Sequence, residues 1–276
     1  MSFSPVLDVN TNPSNPIIGA RSFGSNPRRV NALGKAVIDG IQDRGVLACG
    51  KHFPGHGDTH QDSHKTLPKV DRTLEELIEV EWVPFKGAIE AGVGAIMIAH
   101  LNIPSLEPSG KPTSLSRKVI QEILRDSWGY EGLVITDALN MKGAAAFAPP
   151  GELELAAFSA GNDVLLFPMD VPKATKAFQN ALATDKIAEK SLDERVRRIL
   201  VAKSNCQAYG DWMDAQKPAD PKLLSSDHGP FERADANQRV SFNLIRNAAT
   251  LLETGNTSFP IKNLEQNFLH IAIGDF

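Results

Sequence analysis

The sequence predicts an α/β fold on a parallel sheet and, within that class, an incomplete (β/α)8 barrel. Three observations carry this. Short apolar runs alternate with longer amphipathic stretches, the order that βα units write into a chain. The runs, at 5–9, 46–49, 95–99, 133–136 and 164–167, are continuously apolar rather than alternating. Strands read that way when both faces of a parallel sheet are covered. Finally, Asp8, Lys51 with His52, His100 and Asp137 each fall at or just after the end of a different run. In a barrel such strand ends meet on one face and build the active site. A doubly wound sheet satisfies the same alternation, so the polar strand ends are what favour the barrel. With about five βα units visible, a closed barrel of eight lacks about three.

The helices are punctuated in order. Ser25-Asn26-Pro27 offers a cap followed by Pro in the first turn, Val30, Leu33, Val37 and Ile41 share one face, and Gly45 closes the segment. Thr73-Leu74-Glu75-Glu76 is a capping box ahead of Leu77, Ile78, Phe85 and Ile89, with Gly92 at the end. Pro84 inside this helix predicts a kink. Ser116 opens a third helix carrying Val119, Ile120, Ile123 and Leu124, closed by Gly129. Ser191 to Glu194 reads as another capping box, ahead of Val196, Ile199 and Leu200.

From about Asp211 the character changes. Pro218, Pro221 and a polar stretch to Pro230 read as a linker. A helix pattern over 237–248, a turn at Gly255 and an apolar run over 268–274 read as the start of another unit. The expected organisation is a partial barrel over 1–210, a linker over 211–236 and the beginning of a second α/β domain over 237–276. Ser4-Pro5-Val6-Leu7-Asp8 follows Met1 almost at once and reads like the inside of a domain, so the chain is expected to be a piece of a longer protein.

Composition narrows the function classes. The 276 residues are 42% hydrophobic and 22% charged, ample for one large core. A net charge of −4 without any Lys/Arg-dense run argues against nucleic acid or a membrane surface as partner. The apolar runs are far too short to span a bilayer, and no signal peptide precedes Phe3. The compartment stays open between cytoplasm and cell envelope, and oligomeric state has no signature. Cys49 and Cys206 show neither metal-ligand nor redox spacing, so no disulfide framework is expected.

The densest polar cluster runs from Lys51 to His64 and holds four of the seven histidines, at 52, 56, 60 and 64. A spacing of four suits a metal site on a helix, but Pro54, Gly55 and Gly57 argue against a helix there. A Gly-rich surface loop is the bland reading and a catalytic loop the sharper one. The sharper one rests on Asp62 and His64. Histidine both gives and takes a proton near neutral pH, and a carboxylate two residues away fixes its tautomer. The second feature is Asp137, one carboxylate at the end of the apolar run Val134-Ile135-Thr136. Burying it alone is costly, so Lys51 or Arg21 is expected beside it. A helix N-cap is the structural alternative, and the pattern does not separate the two. A nucleophilic carboxylate and a proton shuttle on different strand ends suit glycoside hydrolysis by double displacement.

The motifs Lys51-His52-Phe53-Pro54-Gly55-His56-Gly57-Asp58-Thr59 and Asp62-Ser63-His64 resemble the signature of glycoside hydrolase family 3, in its bacterial β-N-acetylglucosaminidase branch. Phe3-Ser4-Pro5-Val6-Leu7-Asp8, Arg21-Ser22-Phe23-Gly24 and Ile135-Thr136-Asp137-Ala138-Leu139-Asn140-Met141 resemble the same family in the same order, and the likeness runs from about Ser4 to about Leu200. The resemblance implies a retaining β-N-acetylhexosaminidase that releases terminal β-linked N-acetylglucosamine, as in trimming of cell-wall muropeptides. It implies Asp137 as nucleophile, His64 as acid/base oriented by Asp62, and Arg21, Lys51 and His52 on sugar hydroxyls. No metal or organic cofactor is implied. The family's first three strands, with an Asp-Gln-Glu-Gly-Gly segment that binds the sugar, are absent here. Other readings are a phosphorylase or β-glucosidase of the family, an inactive sugar-binding fragment, and a metal-dependent hydrolase using the histidines.

Overall fold

A computed structural model describes residues 1–61 and 66–206. Asp62 and His64, and the segments expected to form a linker and the start of a second domain, lie outside the described residues.

The fold is α/β, built on a parallel sheet. Strands β1 (Cys49–Phe53), β2 (Ala95–Ile98) and β3 (Leu133–Thr136) pair in the order β1-β2-β3. Two more segments flank them, each held by isolated parallel bridges rather than a ladder. The N-terminal segment bridges β1 at Ser2–Ala48 and Val6–Lys51, and Val164 bridges β3 at Ile135. All five expected runs therefore lie side by side in chain order. One expectation shifts. The strand expected over 46–49 begins at Cys49, so Lys51 and His52 lie within the strand rather than after it. Val46 is exposed and Leu47 half-buried, so the apolar run starts ahead of the sheet, whereas the strand is fixed by what its backbone pairs with, here Ala95–Ile98.

Both faces of the sheet are covered, which is why β2 is apolar throughout and β3 is apolar up to Thr136. Ile96, Ile98 and Val134 face the outer core, while Ala95, Met97, Leu133, Ile135 and Cys49 face the other way, packing on Val164, Leu166, Ile199 and Ala202. Burial pushes the Cys49 thiol up to about 12.

Helix α1 (Pro27–Gln42) is capped by Asn26, whose side chain accepts from the N–H of Arg28 and Arg29. Its buried stripe is Val30, Gly34 and Ile38, not the expected Val30, Leu33, Val37 and Ile41, and Leu33 is exposed. Gly34 explains the rotation. A Cβ there would lie 2.5 Å from Leu7, so the helix presses onto the sheet through a residue that an apolar count overlooks. The Thr73–Glu76 capping box forms as expected. The turn Leu77–Glu81 then widens to i→i+5 bonding, with Trp82 N–H on the Leu77 carbonyl, before α2 (Trp82–Glu90) resumes. The strain of Pro84 is absorbed in that wide turn just ahead of it. Helix α3 (Lys118–Ser127), wound with i→i+5 bonding like the Leu77–Glu81 turn, buries Val119, Ile120 and Leu124.

Two further helices carried no mark in the sequence reading. Helix α4 (Glu152–Ala160) starts at Gly151, whose N–H donates to Glu154, and α5 (Val171–Ala183) is capped by Asp170 with Pro172 in its first turn. The expected capping box at Ser191 is corrected. Helix α6 (Glu189–Ser204) begins earlier at Ala188 without a side-chain cap, and Ser191 instead accepts from Arg195. Among the described residues no helix is long and apolar enough to cross a membrane.

One buried carboxylate ties three of these elements together. Asp163, which follows α4, receives Arg125 Nη2 of α3 at 2.5 Å, Arg198 Nη1 of α6 at 2.9 Å and the Val134 N–H of β3 at 2.8 Å. Its side chain is wholly buried. Removing it strands a buried guanidinium. Asp163→Ala is expected to lower stability by about 3–5 kcal/mol in urea unfolding, and a loss below about 1 kcal/mol would mean that the pair is not needed.

Candidate active site

The ends of the strands open onto a cleft of about 540 Å³ whose lining includes Arg21, Lys51, His52, His56, Asp137 and Phe167. Four of the expected site residues, Arg21, Lys51, His52 and Asp137, thus share one cavity.

The geometry starts in β1. The ladder to β2 runs in register as far as Lys51–Met97, then skips a residue and pairs Phe53 with Ile98. Such a bulge re-aims side chains. Lys51 keeps to the cleft beside Met97, His52 turns to Asp8, and Phe53 drops into the outer core.

Asp8 is the anchor of the loop that follows. It has no solvent exposure. Its Oδ2 lies 2.7 Å from His52 Nδ1, and its oxygens accept from the backbone N–H of His52 and from that of His56 at 2.8 Å. Burial pushes the Asp8 carboxyl up, but the charges and hydrogen bonds of His52 and His56 outweigh it and hold the group below its ordinary value. A carboxylate–imidazole pair thus joins Asp8 and His52.

Two glycines let the loop close over this anchor. Gly55 has φ +132°, and a Cβ on Gly57 would lie 1.8 Å from the Val9 carbonyl oxygen. Asn15 completes the clamp, donating through Nδ2 to the carbonyls of His56 and Gly57. His56 lies 2.8 Å from the Thr59 hydroxyl, and burial lowers its pKa against the opposing charge of Asp8. Asn12 donates to His60 Nδ1. The described part of the loop is not a helix, and His52 and His56 meet ring edge to face with centroids 5.9 Å apart. Asp8 holds His52 and the His56 backbone while Asn12 holds His60, and among the described residues no three His, Cys, Asp or Glu side chains gather around a metal position.

Asp137 stands at the end of β3 with its N–H on the Ile98 carbonyl. Its Oδ1 accepts from the Ala138 N–H at 2.8 Å. The helical turn that follows, Lys142–Ala145, is capped by Met141 instead, so the N-cap reading does not apply. The expected direct partners are corrected too. Among the described residues neither Lys51 nor Arg21 forms an ion pair with Asp137, although their fields meet. Burial, then Arg21, lowers the Lys51 pKa, and Asp137 is first among the charges that oppose them. His100 braces this strand end, with Nε2 donating to the Ala138 carbonyl at 3.1 Å and Nδ1 within 2.7 Å of the Ser114 hydroxyl.

Several contributors had no assigned role in the sequence reading. Asp8 was visible only as a polar residue at a strand end. Asn15 sits in a loop without a motif. Phe167 reads as the last residue of an apolar run, yet it lines the cleft, is 64% exposed and holds φ at +45°.

The family profile for the glycosyl hydrolase family 3 N terminal domain matches residues 1–202. Beta-hexosaminidase A of Pseudoalteromonas piscicida is 37% identical over 224 residues, covering 74% of this chain and 38% of that protein. A family 3 beta-N-acetylglucosaminidase from a Paenibacillus strain superposes with a TM-score of 0.75 at 38% identity, covering 87% of this chain and 45% of that one. A beta-glucoside phosphorylase, BglX, bound to 2FGlc, gives 0.72 at 31% identity over 75% of this chain and 39% of its own. The chain thus spans less than half the length of each of these three relatives.

The Asp8 anchor makes a stability prediction. A carboxyl held below its ordinary value contributes stability above that value and loses it as pH falls through the lowered one. Asp8→Ala is expected to lose about 3–5 kcal/mol at pH 7, and this deficit should shrink on acidification below pH 4. Urea unfolding of both proteins at pH 7 and pH 3 reads this out, and a deficit that stays constant with pH contradicts it.

Proposed function

The chain belongs to glycosyl hydrolase family 3, and on that premise we propose that it carries the catalytic half of a retaining β-N-acetylglucosaminidase. The substrate class is a terminal β-linked N-acetylglucosamine, as in cell-wall muropeptides or related glycans. In this reading the five parallel segments are strands of an incomplete (β/α)8 barrel over 1–210, lacking its first three. Residues 211–236 are a linker and 237–276 the start of a second α/β domain.

One observation carries the reading. Asp137 shares a cleft with Arg21, Lys51 and His52, and among the described residues its carboxylate takes a single hydrogen bond, from its own neighbour Ala138. In the first step an Asp137 oxygen forms a bond to the anomeric carbon as the bond to the leaving oxygen breaks, and His64 supplies that oxygen with a proton. In the second step His64 takes a proton from water, which attacks the anomeric carbon and releases Asp137. Asp62 orients the imidazole and stabilises its charged form. Arg21, Lys51 and His52 hold sugar hydroxyls, and His52 is preset for this because Asp8 engages its Nδ1 and leaves Nε2 for the cleft.

A family 3 phosphorylase is the second reading, favoured by the likeness to the beta-glucoside phosphorylase. After it gives up its proton the imidazole is neutral, so it repels an incoming phosphate less than a carboxylate would. Release of sugar 1-phosphate that depends on added phosphate separates this reading from hydrolysis.

Asp137→Ala in the full-length protein is expected to abolish turnover of an aryl N-acetylglucosaminide. Trapping the wild type with a 2-fluoro sugar should place the label on the peptide containing Asp137, and a label elsewhere removes the nucleophile assignment. His64→Ala should cost about 10²–10⁴-fold in kcat/KM on substrates with poor leaving groups and far less on activated aryl glycosides. Equal losses on both would exclude His64 as the acid.

A further inference from the structure

Behind the His52–Asp58 loop, on the side away from the cleft, lies Glu81. It is 1% exposed, and among the described residues neither carboxyl oxygen bonds any protein group. It belongs to the widened turn Leu77–Glu81, and π-type turns of this kind frequently mark functional positions. It packs directly on the loop: a Cβ on Gly55 would lie 2.7 Å from Glu81 Cβ and 3.0 Å from Oε2. A buried carboxylate with no partner is expensive, and the group avoids the cost by keeping its proton.

The charges around it reinforce this. Asp8 on the N-terminal segment and Asp58 on the loop both disfavour a negative Glu81. Arg72, just ahead of the helix, is the opposing cation, but its Nε is already bound to Asp58 at 2.8 Å and its Nη1 lies 3.6 Å from Glu76. Burial first, then Asp8, raises the Glu81 pKa to about 8.

We propose that Glu81 is a positioning residue for the candidate active site, a buried carboxylic acid against which Gly55 closes, and that its ionisation disturbs the loop presenting His52 and His56. This rests on the proposed function for its catalytic consequence, but not for its structural one. An ionised Glu81 places a second negative charge near Asp8, the group that holds both histidines, and loosens that grip. The device is a proton switch with its ordered state on the acid side.

A carboxyl whose folded pKa is raised contributes stability that is fully present below its unfolded value and is lost as pH rises through the folded one. The test compares this chain with its Glu81→Gln variant, an uncharged side chain of the same shape. The urea midpoint of the wild type should fall relative to the variant between pH 5 and pH 8, then run parallel above. The ring resonances of His56 should show an added step near pH 8 in the wild type and none in the variant. If Glu81→Gln does not fold, Glu81→Met serves as a second uncharged replacement with the same expectation. In the full-length protein, kcat/KM of the variant should lack the alkaline decline of the wild type. Equal pH dependence of the two midpoints overturns the proposal, as does failure of both variants to fold. Because midpoints and resonances need no turnover, a protein without glycosidase activity would sink the functional reading and leave this one standing.

Discussion

A carboxylate that never meets solvent, Asp8, sets the geometry of the cleft. Its negative charge is tolerable in the interior only because two backbone N–H groups and an imidazole converge on it. Those donors come from a loop 44 to 48 residues further along the chain. The N-terminal segment carrying Asp8 is in turn bridged to β1. Backbone pairing, a buried charge and a loop therefore form one unit. The bulge at His52 and the close approach at Gly57 are the conditions under which that loop reaches its anchor.

The same logic operates at the other end of the sheet. Asp163 gathers Arg125 and Arg198 and accepts from β3, as Asp8 gathers the histidines. Between these two charged knots β2 and β3 are filled on both faces with apolar side chains. Nucleophile candidate and sugar-contacting candidates project from the rim nearer Asp8, where strand ends supply different chemistries to one cavity while the packed core fixes their separation.

The layout of the sheet was legible because burial on both faces leaves an uninterrupted apolar signal. The capping box at Thr73 was legible because its partners are three residues apart. Other features depend on distant partners. The stripe of α1 follows Gly34 and its contact with Leu7, a glycine that hydrophobic spacing does not weigh. The start of β1 is set by pairing with β2, not by the run before it. Ser191 and Glu194 have the spacing of a cap, yet the helix begins ahead of them and the hydroxyl goes to Arg195. In the site, the loop announced itself through its motif, but Asp8, Asn15 and Glu81 act across sequence distances that no local pattern spans.

Cys49 lies two residues before Lys51 on β1, buried with Ala95, Met97, Leu133 and Ile135. Nucleophilic sulfur chemistry requires the thiolate, and a wholly buried thiol at about 12 offers almost none. The Cys49 position is therefore indifferent to the redox state of its surroundings. Peroxide, glutathione and alkylating reagents find no foothold there, so this position neither needs a reducing compartment nor is endangered by an oxidising one.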